Sequence, residues 1–303
     1  MKKVSCTLIV ITWAIGIFSL VGCNSEHLPD DRTFTDGLWL KMGDNSIVST
    51  TDIDFYDVST HIIYLKKKLP YLEDIGFDSG AMTVNVGEEE IYKCPFHPMY
   101  LSYLPTGPYL STPFFYPKDI IRIEFMQILN VNYEVTVPDP RSDERIINAL
   151  KAYGQYHEGL HFEIQSCNFS AGKLVLTIVL SNSDTFDYYY LDPDKMGIGL
   201  FHYFSNGPTF WDLNYSQSYT HKETVISPEP WDSWKIEWLT RIKAGESKTI
   251  SITYNHFDKM PAGKYWMNFT FPGLEFGISQ KDLILSDGRI WMGSICTENL
   301  INI

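Results

Sequence analysis

The chain has 303 residues, of which 44 % are hydrophobic and 15 % aromatic, and its net charge is −13 at pH 7. This composition is that of a folded globular protein and excludes a disordered stalk. Because an acidic chain is repelled by the phosphate backbone, we expect no binding of nucleic acid. The length favours two domains over a single core.

Residues 1–22 have the features of a secretory signal peptide. Two lysines precede an apolar run from Leu8 to Leu20, which is shorter than the roughly 20 residues that a membrane-spanning helix needs. The run ends in the sequence LVGC, which resembles the lipobox of bacterial lipoproteins. That resemblance implies that the signal is removed, and that Cys23 is lipidated and holds the chain to a lipid bilayer.

Residues 23–35 are polar and acidic and predict a flexible, lipidated tether. Acidic residues directly after a lipidated cysteine resemble the surface-export signals of Bacteroidota-type lipoproteins. We therefore expect a lipid-anchored protein of the outer membrane, on either its surface or its periplasmic face.

Residues 36–156 predict an N-terminal α+β region that ends in a helix. Alternation over 82–86, followed by Gly87 and an acidic turn, indicates a β-hairpin. Apolar residues at helical spacing follow Ser142, a candidate N-cap, and Gly154 is a natural end for this helix.

Residues 157–303 contain short β-rich segments separated by turn sequences such as SAGK, KAGES and SDGR, which favour an antiparallel β-sandwich. The segments KLVLTIVLSNSDTFDYYY, IKAGESKTISITY and MPAGKYWMNFTF resemble the immunoglobulin-like domains of bacterial cell-surface proteins, in particular the BsuPI-type proteinase inhibitor fold. The fold class predicted for the whole chain is mainly β, an α+β region followed by an immunoglobulin-like sandwich.

The sequence HEGLH at 157–161 fits the zinc-protease pattern H-E-x-x-H. On a helix, His157 and His161 would lie on one face and could bind one zinc ion, while Glu158 would polarise its water. This hypothesis is a zinc-dependent hydrolase or peptidase with Glu158 as its catalytic residue.

Three features weigh against the zinc hypothesis. Gly154 and Gly159 bracket the motif and disfavour a helix. The residues from Leu160 to Gln165 alternate as in a strand, which would place the two histidines in different elements. The sequence after the motif also lacks the third ligand of the zinc-peptidase families. We expect a polar junction here, with no metal and no catalytic residue.

Two further sets of residues could bind metals or react. Asp184, Asp192 and Asp194 lie near one turn and could hold calcium, although acidic turn residues are more often only solvated. Three cysteines follow residue 35, and whether they pair is left open by their spacing; unpaired buried thiols are the favoured interpretation. They are Cys94, Cys167 and Cys296.

The aromatic stretch around residues 201–219 is the feature most typical of binding. Flat aromatic faces beside amide and carboxylate groups suit sugar rings, because the C–H faces stack and the hydroxyls find polar partners. The candidate ligand-binding residues are Phe210, Trp211, Tyr215 and Tyr219. The alternative is that these aromatics fill a sandwich core.

Together these features predict a lipid-anchored envelope protein that binds a glycan or a partner protein and does not catalyse a reaction. The hydrolase is one alternative. A structural or protease-inhibitor-like immunoglobulin module is the other.

Overall fold

The structure is a computed structural model that describes residues 36–42, 45–69, 80–102, 105–112, 116–126, 138–275 and 278–303. The predicted signal peptide, Cys23 and the tether of residues 23–35 lie outside these ranges. Within them, no helix has the length and apolar character needed to cross a membrane.

The protein is mainly β, as predicted, with 49 % of the described structure in strands and 15 % in helices. The helices are α1 (Glu144–Ala152), α2 (Pro193–Met196), α3 (Ile198–Ser205) and α4 (Gln280–Leu283). The first ten strands are β1 (Leu38–Met42), β2 (Asn45–Val48), β3 (Ile53–Asp57), β4 (Ile62–Leu65), β5 (Ala81–Val86), β6 (Glu89–Pro98), β7 (Gly107–Thr112), β8 (Ile120–Arg122), β9 (Glu124–Met126) and β10 (Tyr156–His157). The others are β11 (Leu160–Ser170), β12 (Lys173–Asn182), β13 (Tyr188–Leu191), β14 (Thr209–Trp211), β15 (Ser218–Thr220), β16 (Leu239–Ile242), β17 (Ser247–Tyr254), β18 (Lys264–Pro272), β19 (Ile284–Leu285), β20 (Gly288–Ile290) and β21 (Ser294–Asn302).

These strands form five sheets, which we number 1 to 5. Sheet 1 has the order β2-β1-β5-β6-β7-β9, sheet 2 β10-β3-β4-β8, sheet 3 β11-β12-β17, sheet 4 β16-β13-β20-β19 and sheet 5 β15-β14-β18-β21. Most pairs are antiparallel; the described parallel pairs are β10 with β3, β6 with β7 and β13 with β20.

The arrangement of the sheets differs from the predicted single sandwich. The five sheets form a propeller-like ring and not a clear immunoglobulin sandwich. Sheet 2 connects the two predicted regions. One face of this sheet, with Ile53 and Ile63, packs in a core with sheet 1 and α1, and the other, with Phe55 and Tyr64, packs against sheet 4. The regions before and after residue 157 therefore share a hydrophobic core.

The helix predicted before the HEGLH sequence is present as α1. Its N-cap is Asp143, whose side chain accepts a hydrogen bond from the backbone N–H of Arg145, and not the predicted Ser142. Burial of Ile146 and Leu150 fixes the apolar face of the helix in the core. The helix ends before Gly154, which has a φ of +65° that favours glycine.

Sheets 3 and 5 pack around the largest core. Alternate residues of β12, from Leu174 to Leu180, are fully buried on one side, and alternate residues of β18, from Tyr265 to Phe271, are buried opposite them. Because side chains alternate across a strand, the remaining residues of β18 lie on the other face of sheet 5. This pattern leaves a second, solvent-facing side on sheet 5.

Candidate functional site

The HEGLH sequence does not form a helix. His157 ends β10, which pairs with β3 in parallel, and His161 lies in β11, which pairs with β12. Gly159 turns the chain between the two strands with a φ of +70°. A Cβ atom there would lie 2.4 Å from both the Asp57 Oδ1 and the Ser59 Oγ atoms. The shared helical face that the zinc hypothesis requires is therefore not formed.

His157 is instead part of a buried polar junction. Its Nδ1 atom lies 3.0 Å from the Asp184 Oδ1 atom, and its ring packs against Phe55 and Phe186. The same carboxylate accepts hydrogen bonds from the Tyr188 hydroxyl and the backbone N–H of Thr185. Burial by itself would raise the pKa of Asp184, but the hydrogen bond from His157 and these other donors hold it below its usual value.

The other predicted metal residues are not grouped around one point. His161 and Glu158 are exposed, and His161 contacts the Ser183 hydroxyl. Asp192 caps α2 and accepts from Thr240, away from the contacts of Asp184, and Asp194 is exposed. Across the described ranges, no group of three or more His, Cys, Asp or Glu residues has the arrangement of a metal site.

The three described cysteines are unpaired, but they do not share one environment. Cys94 is buried, Cys167 is half-buried and Cys296 is exposed, so the predicted burial fails for Cys296. Burial raises the pKa of the Cys167 thiol to about 11, which makes it a poor nucleophile at neutral pH.

The four predicted ligand-binding aromatics divide into two pairs. Phe210 is fully buried against Phe257, and Tyr219 is also buried, edge-on to Tyr265, so both belong to the core. Trp211 and Tyr215 are half-buried on the opposite side, with their ring centres 6.1 Å apart.

The outer face of sheet 5 extends this second pair into an aromatic platform. Trp211 is directly opposite Trp266 of β18, and Trp266 is directly opposite Leu300 of β21. Residues directly opposite in antiparallel strands have Cβ atoms about 4.5–5.5 Å apart on one face. One step along the strands, Asn268 of β18 is opposite Glu298 of β21. Apolar rings and hydrogen-bonding groups therefore lie in adjacent rows.

A polar cleft of about 540 Å³ adjoins this face. Asn268 and Glu298 line it, and the Tyr215 hydroxyl donates to the Glu298 Oε1 atom at 3.1 Å, which links the cleft to the platform. The other lining residues come from the chain around β4, β7, β8, β9 and β21 and from the segment before α1; they are Ser59, Thr60, His61, Tyr109, Arg122, Glu124, Phe125, Met126, Asp139, Arg141, Ser294, Ile295 and Cys296. Residues from both sides of the predicted domain boundary thus form the cleft.

Both arginines of the cleft are already engaged by carboxylates. Arg122 donates to Glu275, at 3.1 Å, and to the Tyr116 and Ser294 hydroxyls. Arg141 donates to both carboxylate oxygens of Asp139. Such paired, hydrogen-bonded guanidinium groups hold the walls of the cleft in place and leave little positive charge for an anionic ligand.

The remaining two carboxylates of the cleft, Glu124 and Glu298, form no ion pair with a lysine or arginine among the described residues, although Arg122 acts electrostatically on Glu124. The Tyr109 hydroxyl donates to the Glu124 Oε2 atom at 2.8 Å, and Tyr215 donates to Glu298. Burial lowers the pKa of His61 to about 3, with further lowering by Arg141, so its imidazole is neutral at pH 7. The cleft therefore carries an excess of negative charge.

Glu124 and Arg122 also line a second, smaller cleft of about 330 Å³. Its rim carries Met99 and Trp231, whose exposed fractions of 54 % and 58 % are large for apolar side chains. This second cleft shares Arg122 and Glu124 with the first.

The sequence-based selection missed Trp266, Asn268, Glu298 and the arginines. The alternation of side chains in KYWMNFTF could have identified two of them, because it places Trp266 and Asn268 on the face of the strand opposite Met267. Nothing local connects Trp266 with Trp211, since only strand register brings them together.

Comparison with known proteins gives no family assignment: no protein-family model matches the chain, no curated protein matches its sequence, and no solved structure matches its fold.

Proposed function

We propose that this protein is a lipid-anchored cell-envelope protein that binds a glycan on the outer face of sheet 5 and in the adjoining polar cleft, without catalysis. The observation that carries the proposal is the direct pairing of Trp211 with Trp266, beside the row of Asn268 and Glu298.

The chemistry of this surface suits a sugar chain. Indole rings offer flat apolar area against which the C–H face of a sugar ring can stack. Two residues along β18 from Trp266, the amide of Asn268 and, opposite it, the carboxylate of Glu298 supply donors and acceptors for hydroxyl groups. The cleft then extends the polar contacts beyond the platform.

Lipid anchoring through Cys23, in the outer membrane, is a further part of the proposal and is supported by the LVGC sequence alone. Mass spectrometry of the N-terminal peptide should find a diacylglyceryl group on Cys23. A Cys23→Ser variant should leave the membrane fraction, and its continued membrane association would contradict the anchor.

We also propose that sheets 3 and 5 are related to an immunoglobulin-like sandwich. Their support is the antiparallel order of β11, β12 and β17 and the packing of sheet 5 against them around one core. If this sandwich acts as a protease-inhibitor-like module, its binding partner is a protein, and the chain should then have no affinity for sugars.

A titration with sugars tests the glycan proposal. The full chain, purified in detergent, is titrated with the N-acetylglucosamine tetramer and with cellotetraose, and binding is followed by calorimetry and tryptophan fluorescence. We expect saturable binding of at least one sugar that weakens about tenfold in Trp266→Ala, a loss of about 1.4 kcal/mol.

Tyr100→Ala is the matched control, since Tyr100 is 72 % exposed and does not lie on sheet 5. It should bind as the native protein does. Equal affinities of the native protein and Trp266→Ala, or no binding of any sugar tested, would contradict the proposal.

A further inference from the structure

From the charges of the polar cleft we infer that the preferred glycan carries protonated amino groups, as an amino-sugar polymer does, and that Glu124 and Glu298 bind them, an inference that rests on the proposed glycan site.

The first step is the charge of the cleft wall. Arg122 pairs with Glu275, and Arg141 pairs with Asp139, so the two arginines are neutralised by those two carboxylates. Among the described residues, neither Glu124 nor Glu298 forms an ion pair with a lysine or arginine. Arg122 acts electrostatically on Glu124, but it donates its hydrogen bonds to Glu275 and to two hydroxyl groups. His61 adds no compensating charge, because burial keeps it neutral.

The second step is that these two carboxylates are held in place by neutral donors. Tyr109 donates to Glu124 and Tyr215 donates to Glu298, each through a phenolic hydroxyl. Each carboxylate has several further acceptor positions after one hydrogen bond. A ligand ammonium group has three N–H donors and can use those positions.

Glu298 connects the cleft with the platform. Glu298 belongs to both, because it lies opposite Asn268 on the outer face of sheet 5 and also lines the cleft. A sugar ring stacked on Trp266 therefore has its substituents next to Glu298, and Glu124 lines the same cleft. A cationic substituent on such rings is favoured over a neutral acetamide.

The test compares two ligands that differ in acetylation. The full chain in detergent is titrated at pH 6 and low salt with the glucosamine tetramer, whose amines are protonated, and with the N-acetylglucosamine tetramer. We expect the amine form to bind at least tenfold more tightly, and the preference to fall with added salt, because exposed charges are screened.

The decisive variants are Glu124→Gln and Glu298→Gln, which remove charge but keep an acceptor for Tyr109 and Tyr215. Each should reduce the preference at least threefold. Glu237→Gln changes the net charge equally at an exposed position outside the cleft and should leave the preference unchanged.

Each result has one meaning. Equal or tighter binding of the N-acetylated form overturns the amine inference and leaves the glycan proposal intact. The inference is also overturned if both glutamine variants keep the preference for the amine form. It is overturned as well if Glu237→Gln reduces this preference as much as they do, because the preference would then come from the overall charge of the protein. If neither tetramer nor cellotetraose binds, the glycan proposal fails, and this inference with it.

Discussion

The HEGLH segment and the outer face of sheet 5 present opposite relations between sequence and structure. HEGLH matches a known catalytic pattern, but its residues are divided between β10 and β11 and its first histidine is held by Asp184. The outer face of sheet 5 matches no pattern, yet strand register brings Trp211 and Trp266 side by side.

The difference lies in what fixes each geometry. The zinc pattern requires both histidines on one face of a helix. Two glycines and a strand that starts at Leu160 prevent this segment from forming a helix, so the two histidines cannot share a face. The platform depends on cross-strand neighbours that are 55 positions apart in the chain, a separation that no local motif records. The local backbone conformation therefore determines whether the residues of a motif can come together. Strand register determines which residues distant in the sequence become neighbours.

The largest effect is expected at the turn between the two histidines. Gly159→Ala should lower the free energy of unfolding by about 3 kcal/mol, because alanine at a φ of +70° is strained and its Cβ would meet Asp57 and Ser59. Urea unfolding followed by tryptophan fluorescence measures it.

Gly245→Ala is the control for the backbone term alone. Gly245 has a φ of +71° but no atom within 4 Å of an added Cβ, so we expect a loss of about 1 kcal/mol. Equal losses in the two variants would mean that HEGLH is not packed tightly against β3 and that its geometry is adjustable.

The second effect concerns the carboxylate that holds His157. Asp184→Asn should cost about 2 kcal/mol at pH 7, because hydrogen bonds to a buried charged group are lost or weakened. The pKa of Asp184 is lowered in the folded state, so the carboxylate stabilises the protein above its ordinary pKa of about 3.9, and this stabilisation is lost as the pH falls below that value.

Urea unfolding of the native protein and of Asp184→Asn between pH 7 and pH 3 tests this pH dependence. The difference between native protein and Asp184→Asn should shrink below about pH 4. Asp194→Asn, at an exposed position, should show no such dependence. A difference that stays constant down to pH 3 would show that the charge of Asp184 does not hold the junction.

Much of the fold could be predicted where the signal is local. The hairpin of β5 and β6, the helix α1 and the strand from Leu160 all occur where alternation, helical spacing or glycine indicated them. The mainly β class follows from the same signals. These features depend on residues within one or two turns of each other.

The arrangement of the sheets and the site could not be predicted in that way. Apolar residues on both faces of β3 and β4 indicate only that sheet 2 is buried, not that it joins sheet 1 to sheet 4. For the site, the aromatic stretch pointed to Trp211 and Tyr215, but periodicity could not separate them from the buried Phe210 and Tyr219 across an irregular loop. Arg122 and Glu124 lie about 90 residues earlier and carry no motif.

A smaller effect on stability is expected on the outer face of sheet 5. Trp211→Ala and Trp266→Ala should be coupled by about 0.5–1 kcal/mol in a double-mutant cycle, since they are directly opposite in antiparallel strands. Unfolding of the two single variants and the double variant in urea gives the coupling. Strict additivity would mean that the two rings are not in contact and that the platform is discontinuous.

The smallest effect is expected in metal content. The full chain, purified without added metal or a polyhistidine tag, should contain no stoichiometric zinc, and neither His157→Ala nor His161→Ala should change the measured amount. The physical reason is that the two histidines lie on different strands, and no group of three or more candidate ligands comes together among the described residues. His161→Ala is the cleaner variant, because its side chain contributes nothing to the core. About one zinc per chain, lost in both variants, would mean that the segment rearranges around a metal. The hydrolase hypothesis would then replace the proposal of a non-catalytic binding protein.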